Sequence, residues 1–185
     1  RSGFEVDKSL VGAPLVAKVN AIAKLGEPGM KIMVGDKEKE VNFFNDDLVA
    51  VLPQFIGEIM QIPPMYSAVK IEGKKLYEFA REGKTVERKA RKVTIHGIDI
   101  IKMELPKVEI DIRCSKGTYI RTLCHDIGEK LGVGGCMDSL LRTKVSIFEL
   151  ENTMRLSELQ EYKDQGRFLE CVMPVDAIFP EYKKI

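Results

Sequence analysis

Two segments of period-two hydrophobicity stand almost back to back, and they constrain the fold more than any other feature of the chain. Val93 to Ile101 alternates Val93, Ile95 and Gly97 with Thr94, His96 and Ile98. Val108 to Cys114 alternates Val108, Ile110, Ile112 and Cys114 with Glu109, Asp111 and Arg113. Such alternation marks half-buried strands. The few residues between them are too short for a parallel crossover, so the two must pair antiparallel. With helical patterns on either side, the class is α+β, a mixed, largely antiparallel sheet flanked by helices.

Local signals supply the other elements. Leu15 to Leu25 reads as a short amphipathic helix, with Leu15, Val19, Ile22 and Ala23 at helical spacing and Gly26 as its stop. Lys31 to Val34 reads as a strand. Asn45 or Asp46 can cap a second helix carrying Leu48, Val51, Leu52 and Phe55, which Pro53 kinks or ends. Gly57 to Gln61 and Tyr66 to Ile71 read as extended around Pro63-Pro64, and Lys74 to Glu82 as a helix stopped by Gly83. Ile120 to Leu131 is a helix ending at Gly132, and Val145 to Leu150 a strand. Ser157-Glu158-Leu159-Gln160 fits a capping box that opens a last helix.

With 185 residues, 44% of them hydrophobic and 31% charged, the chain has the composition of one globular domain. No apolar run approaches the ~20 residues of a membrane span, and Arg1 to Lys8 has no apolar stretch of the secretory kind. Cys114, Cys124, Cys136 and Cys171 form no CxxC pair, and His96 and His125 complete no zinc pattern. A reduced, cytoplasmic protein without a structural metal is expected.

Charge is balanced overall, 29 basic residues against 28 acidic, but unevenly placed. Residues 74–92 hold eight basic side chains against Glu78, Glu82 and Glu87, while residues 149–185 hold five basic against eight acidic. The basic segment is either a solvated helix and loop or one positive surface on a neutral protein.

The most informative block is Arg113-Cys114-Ser115-Lys116-Gly117-Thr118-Tyr119-Ile120-Arg121-Thr122. A strand ends at a glycine turn and a helix begins, so the first backbone amides of that helix face solvent or a ligand. Tyr119 and Arg121 straddle the core residue Ile120. Their ring and guanidinium could stack on a base and hold a carboxylate or phosphate; a capped helix with an ordinary half-buried Tyr and a surface Arg is the other reading.

This block resembles the K-G-T-Y-I-R motif of the TruB family of tRNA pseudouridine synthases. Upstream, Gln61-Ile62-Pro63-Pro64-Met65-Tyr66-Ser67-Ala68-Val69-Lys70 and Gly73 to Gly83 are similar to the family's Q-x-P-P-x-Y-S-A-x-K and G-x-x-L-Y-E-x-A-R-x-G. Downstream, Leu140-Leu141-Arg142-Thr143 is similar to its L-x-R-T/L segment. The likeness runs in order from about Glu38 to about Pro180. It implies the pseudouridine synthase fold and isomerisation of one T-loop uridine of tRNA, with no metal or organic cofactor; no protein partner is expected. It also implies that the base leaves its stack, at a cost of roughly a few kcal/mol. By resemblance Tyr119 packs on the flipped base and manages a proton at the ring. Arg121 pairs with a catalytic aspartate, and Leu140 walls the base pocket. Tyr66, Lys70, Lys74, Arg81 and Lys116 complete the substrate-binding set, and the basic segment becomes a tRNA-backbone surface.

The resemblance has gaps. The family's G-H-T-G-T-L-D-P-x-A-x-G loop, which carries the nucleophilic aspartate, has no counterpart in the sequence, nor does the stretch that follows it. Two registers fit the opening residues. In one, Val6-Asp7-Lys8 and Leu15 to Ile22 resemble the family's early V-D-K-P and helix element, making Asp7 structural. In the other, Asp7 and Gly12 keep the D-x-x-x-x-G spacing of the catalytic loop. The first matches more residues. The expected organisation is an N-terminal segment over 1–37 with an altered or missing catalytic loop, a catalytic core over 38–180, and a tail over 181–185 without the family's C-terminal RNA-binding domain. A pseudouridine synthase whose chain lacks segments is the leading expectation; a catalytically inactive RNA-binding module that keeps the base pocket is the alternative.

Overall fold

The computed structural model describes residues 16–26, 31–34, 37–40, 45–71 and 73–174. The expected hairpin forms as β7 (Arg91–Glu104) and β8 (Lys107–Ser115), paired antiparallel from Ile95 with Cys114 to Glu104 with Lys107. It sits inside a six-stranded sheet. With β1 (Val16–Leu25), β4 (Gly57–Gln61), β9 (Gly135–Val145) and β10 (Phe148–Glu149), the order is β10-β9-β1-β8-β7-β4. Every described ladder is antiparallel. Two small ribbons stand apart: β2 (Lys31–Val34) with β3 (Lys37–Glu40), and β5 (Lys70–Ile71) with β6 (Lys74–Lys75). Among the described residues four α-helices complete the α+β fold: α1 (Asn45–Val51), α2 (Leu76–Arg81), α3 (Ile120–Leu131) and α4 (Leu156–Asp164).

The largest departure from the sequence reading is β1. Residues 15–25 were expected as a helix, yet 16–25 form the strand between β8 and β9. The helical spacing of Val19, Ile22 and Ala23 is coincidental, because the buried set is Val19, Ala21, Ala23 and Leu25, at strict period two. The opposite face carries Lys18, Asn20 and Lys24. There Asn20 Nδ2 donates to Glu109 Oε1 at 2.9 Å and Asp111 Oδ1 at 3.0 Å, and Lys18 Nζ lies 2.9 Å from Asp111. Partners on both edges override the helix preference of alanine. The register that matched Leu15 to Ile22 to a helix element therefore does not describe this region.

Smaller differences have local causes. The strand expected over Val145 to Leu150 is the end of β9 plus the two residues of β10, and most of β9 was not anticipated. Of Tyr66 to Ile71, only Lys70–Ile71 is a strand. Asn45 is already inside α1, whose first turn holds Asp46 and Asp47, and Pro53 converts its end into a 3-10 turn over Leu52–Phe55. The last helix opens one residue ahead of the expected capping box. Arg155 N–H donates to Glu158 Oε2 at 2.6 Å, and Gln160 instead donates to Asp164 Oδ1 at 2.7 Å.

The core lies on one face of the sheet. Ile120, Leu123, Cys124 and Ile127 of α3 and Leu48 of α1 cover Val19, Ala21, Ala23, Ile110 and Ile112. Each fully buried aliphatic side chain contributes about 1.5–3 kcal/mol. Helix α3 comes very close to the start of β9. A Cβ on Gly128 would lie 2.2 Å from Gly134 C and from Gly135 N, so only glycine fits. Gly128→Ala should then cost about 1–3 kcal/mol or more, against about 2–5 kcal/mol for the cavity left by Ile112→Ala. Urea denaturation midpoints check both, and an unchanged midpoint for Gly128→Ala would show that α3 and β9 are not in close backbone contact.

Candidate active site

The turn after β8 is built by its own residues. Gly117 has φ +82°, a left-handed conformation that favours glycine. The Thr118 hydroxyl donates back to the Ser115 carbonyl at 2.9 Å, and the Ser115 hydroxyl accepts from Thr94 N–H at 2.9 Å. Tyr119 is the N-cap of α3, in extended conformation, and Arg121 lies in the first turn.

This turn forms one wall of a cavity of about 420 Å³. Ala17 and Val19 come from β1, Cys114 from β8, and Lys116, Tyr119 and Arg121 from the turn and helix. Met137, Leu140, Arg142 and Val145 come from β9. Two register shifts explain how four residues of one strand share a wall without simple alternation. The pairing of β1 with β9 skips Asp138 between Ala23 and Ile22, and skips Thr143 between Val19 and Lys18. Each bulge reverses the facing of the strand. Met137 and Leu140, and then Arg142 and Val145, thus line the same space three residues apart. At the second bulge the Thr143 hydroxyl donates to the Lys18 carbonyl at 3.1 Å.

Four of the residues singled out in the sequence, Lys116, Tyr119, Arg121 and Leu140, therefore meet in one cavity. Tyr66 joins through its backbone: Arg121 Nη2 donates to the Tyr66 carbonyl at 2.8 Å, while the Tyr66 side chain is 60% exposed. Lys70, Lys74 and Arg81 lie elsewhere. Lys70 lines a separate 220 Å³ cavity with Arg88, Lys89 and Arg91. Lys74 pairs with Glu82 and sits 4.8 Å from the Phe79 ring centroid, and Arg81 stacks 5.1 Å from that of Tyr77. Asp7 lies outside the described residues. Arg142 is the charged residue of the lining that sequence reasoning missed. It follows Leu140 at i+2, so reading 140–142 as a strand would have placed both on one face.

No Asp, Glu or His is among the described residues lining the cavity, and Arg121 makes no ion pair among the described residues. Asp126, on α3, has its carboxyl pushed up by burial and is not part of the lining. Cys114 does face the cavity, but burial pushes its thiol up, against the lowering influence of the Thr118 hydroxyl and the Arg142 guanidinium. A protonated thiol is a poor nucleophile. Among the described residues no group of three or more His, Cys, Asp or Glu could hold a metal ion, and no helix is long and apolar enough to cross a membrane. What the cavity offers is an aromatic ring, an apolar wall and three cations, which suits a flat ligand bearing negative charge.

Residues 24–120 match the TruB family pseudouridylate synthase N-terminal domain, and residues 121–179 match the tRNA pseudouridylate synthase B C-terminal domain. The boundary between the two falls at the start of α3, and a single sheet spans both. The chain is 54% identical over 140 residues to tRNA pseudouridine synthase B of Lachnoclostridium phytofermentans, covering 71% of this chain and 46% of that protein. It is 55% identical over 140 residues to the protein of the same name from Alkaliphilus oremlandii, covering 76% and 46%. The chain thus spans about half the length of these relatives. Among solved structures, a chain of a Cbf5-Nop10-Gar1 complex superposes with a TM-score of 0.65 at 27% identity, covering 91% of this chain and 45% of that one.

The cysteines test the burial of the cavity wall. Cys124 is buried with its thiol pushed up to about 12, whereas Cys136 is exposed on β9. At pH 8 iodoacetamide should modify Cys136 rapidly and leave Cys114 and Cys124 unlabelled until denaturant is added, as peptide mass mapping can follow. Fast native labelling of Cys114 would mean an ionised thiol in the cavity.

Proposed function

The chain belongs to the TruB family of pseudouridylate synthases, and from this we propose that it acts in isomerising a T-loop uridine of tRNA to pseudouridine. The observation that carries the proposal is the convergence of Tyr119, Leu140, Lys116, Arg121 and Arg142 on one cavity. A flipped uridine is a flat ring flanked by phosphates, and it is held by stacking and by cations. The relatives' shared name, tRNA pseudouridine synthase B, supports tRNA as the source of that base. The reaction breaks the bond from the base nitrogen to the sugar carbon and joins the same sugar carbon to a ring carbon. One proton moves from that ring carbon to nitrogen, so nothing is gained or lost overall.

In this proposal Tyr119 stacks on the base and moves the ring proton, and Leu140 walls the pocket. Arg121 holds a catalytic aspartate ionised; an adjacent guanidinium lowers a carboxyl pKa by about 1–3 units. The Tyr66 carbonyl now occupies one edge of that guanidinium, so a docking carboxylate would exchange a neutral partner for a charged one. Lys70, Lys74 and Arg81 would meet the RNA backbone beyond the cavity. Residues 38–180 would form the synthase core, following the segment 1–37, and the working place of the protein is the cytoplasm. The structural neighbour occurs in a complex with Nop10 and Gar1, so the expectation that no protein partner is involved is not carried over.

Two experiments test the proposal. The 185-residue chain should bind a T-arm hairpin with affinity that falls as salt rises, and Lys116→Ala should shallow the log–log slope by roughly one. A slope of zero would remove the phosphate-contact role. The same chain, assayed for pseudouridine by mass spectrometry, is expected to form none, because no carboxylate is among the described residues lining the cavity. Product that disappears in Asp7→Asn would overturn that expectation and make Asp7 the nucleophile.

A further inference from the structure

Gln61 is the most deeply buried polar side chain among the described residues, 1% exposed, and its whole amide is directed at one residue. Its Oε1 accepts from Tyr119 N–H at 2.9 Å, and its Nε2 donates to the Tyr119 carbonyl at 3.3 Å. Gripping both groups fixes the peptide planes on either side of Tyr119, and with them the direction of its Cα–Cβ bond. Among the described residues few other bonds hold Tyr119. As the N-cap of α3, with φ −98° and ψ 103° and no side-chain cap, it receives one backbone bond, from Leu123 N–H to its carbonyl at 3.0 Å.

Gln61 is itself anchored. It closes β4 opposite Arg91 of β7, and two residues on the Pro63 carbonyl accepts from Arg88 Nη1 at 3.1 Å. Further along the same segment the Tyr66 carbonyl receives Arg121. Residues 61–66 thus brace the backbone of Tyr119 and the side chain of Arg121 together.

We propose that Gln61 is a positioning residue for base recognition: through the Tyr119 backbone it sets the Tyr119 ring against the base in the cavity, without touching the base itself. This rests on the reading of the cavity as a uridine pocket. A Gln61 that merely stabilised the fold would weaken all RNA binding alike; one that aims Tyr119 affects only the part of binding that depends on the base.

The test uses two T-arm hairpins, identical except that one is abasic at the target position. The wild-type chain should prefer the uridine hairpin. Gln61→Ala should lose roughly three- to tenfold of that preference, with affinity for the abasic hairpin and the salt slope unchanged. Gln61→Glu keeps the shape and guards against a misfolded alanine variant. Its carboxylate can accept from Tyr119 N–H but cannot donate to the carbonyl, and protonation restores the donor. Its preference should therefore recover in acid, while the wild type, whose amide carries no ionisable proton, stays flat; the charged side chains beside this segment are Arg88, Arg91 and Arg121. An undiminished preference in Gln61→Ala, an equal loss on both hairpins, or no acid recovery in Gln61→Glu overturns the proposal. A wild type that binds both hairpins equally removes the uridine-pocket reading itself, and this inference with it.

Discussion

Residues 16–25, hydrogen-bonded to β8 along one edge and to β9 along the other, hold the site together. The turn carrying Lys116, Tyr119 and Arg121 leaves the end of β8, whereas Leu140 and Arg142 stand on β9. Those two strands do not pair with each other; β1 lies between them and supplies Ala17 and Val19 where the cavity needs small or branched apolar groups. The spacing across the pocket is thus one strand wide on each side, roughly 5 Å per step. A helix over the same residues would leave β9 with only the two residues of β10 to pair with and the cavity without one wall.

What the sequence made legible was local. The β7–β8 hairpin announces itself by alternation and a short connection, and the Ser115–Tyr119 turn by a glycine and a threonine that closes it. Both follow from rules that operate within a few residues. The strands β1 and β9 were hidden because what decides them is distant: Ala17 pairs with Val145, and Asn20 finds its acceptors on Glu109 and Asp111. Arg142 was missed because β9 was: once 140–142 is a strand, Arg142 shares the face of Leu140. Gln61 stands within a motif quoted from the sequence, but its bonds to Tyr119 across the fold could not be read there.

The basic segment shows how charge counting and charge placement differ. Glu82 takes both Lys74 and Lys84, drawing its own carboxyl below the usual range. Arg88 turns inward to the Pro63 carbonyl, and Arg81 lies on Tyr77. Part of an apparent positive surface thus already has partners within the fold, though such exposed pairs contribute little to stability and leave Lys74 and Arg81 able to turn to a phosphate. The cations that converge without acidic neighbours in the lining are those of the cavity, Lys116, Arg121 and Arg142.

The long reach of β1 also bears on how the chain comes into being. Its partners at Lys107 to Ser115 and at Gly135 to Val145 are made long after it. At ~5–20 residues per second of synthesis, the central strand would wait on the order of ten seconds before both of its edges could be filled. During that wait Val19, Ala21, Ala23 and Leu25 have no sheet to cover them, and both backbone edges are open to strands from other chains. High contact order slows closure further. The strand that holds the finished site together is thus the one most exposed to misassembly while the ribosome is still at work.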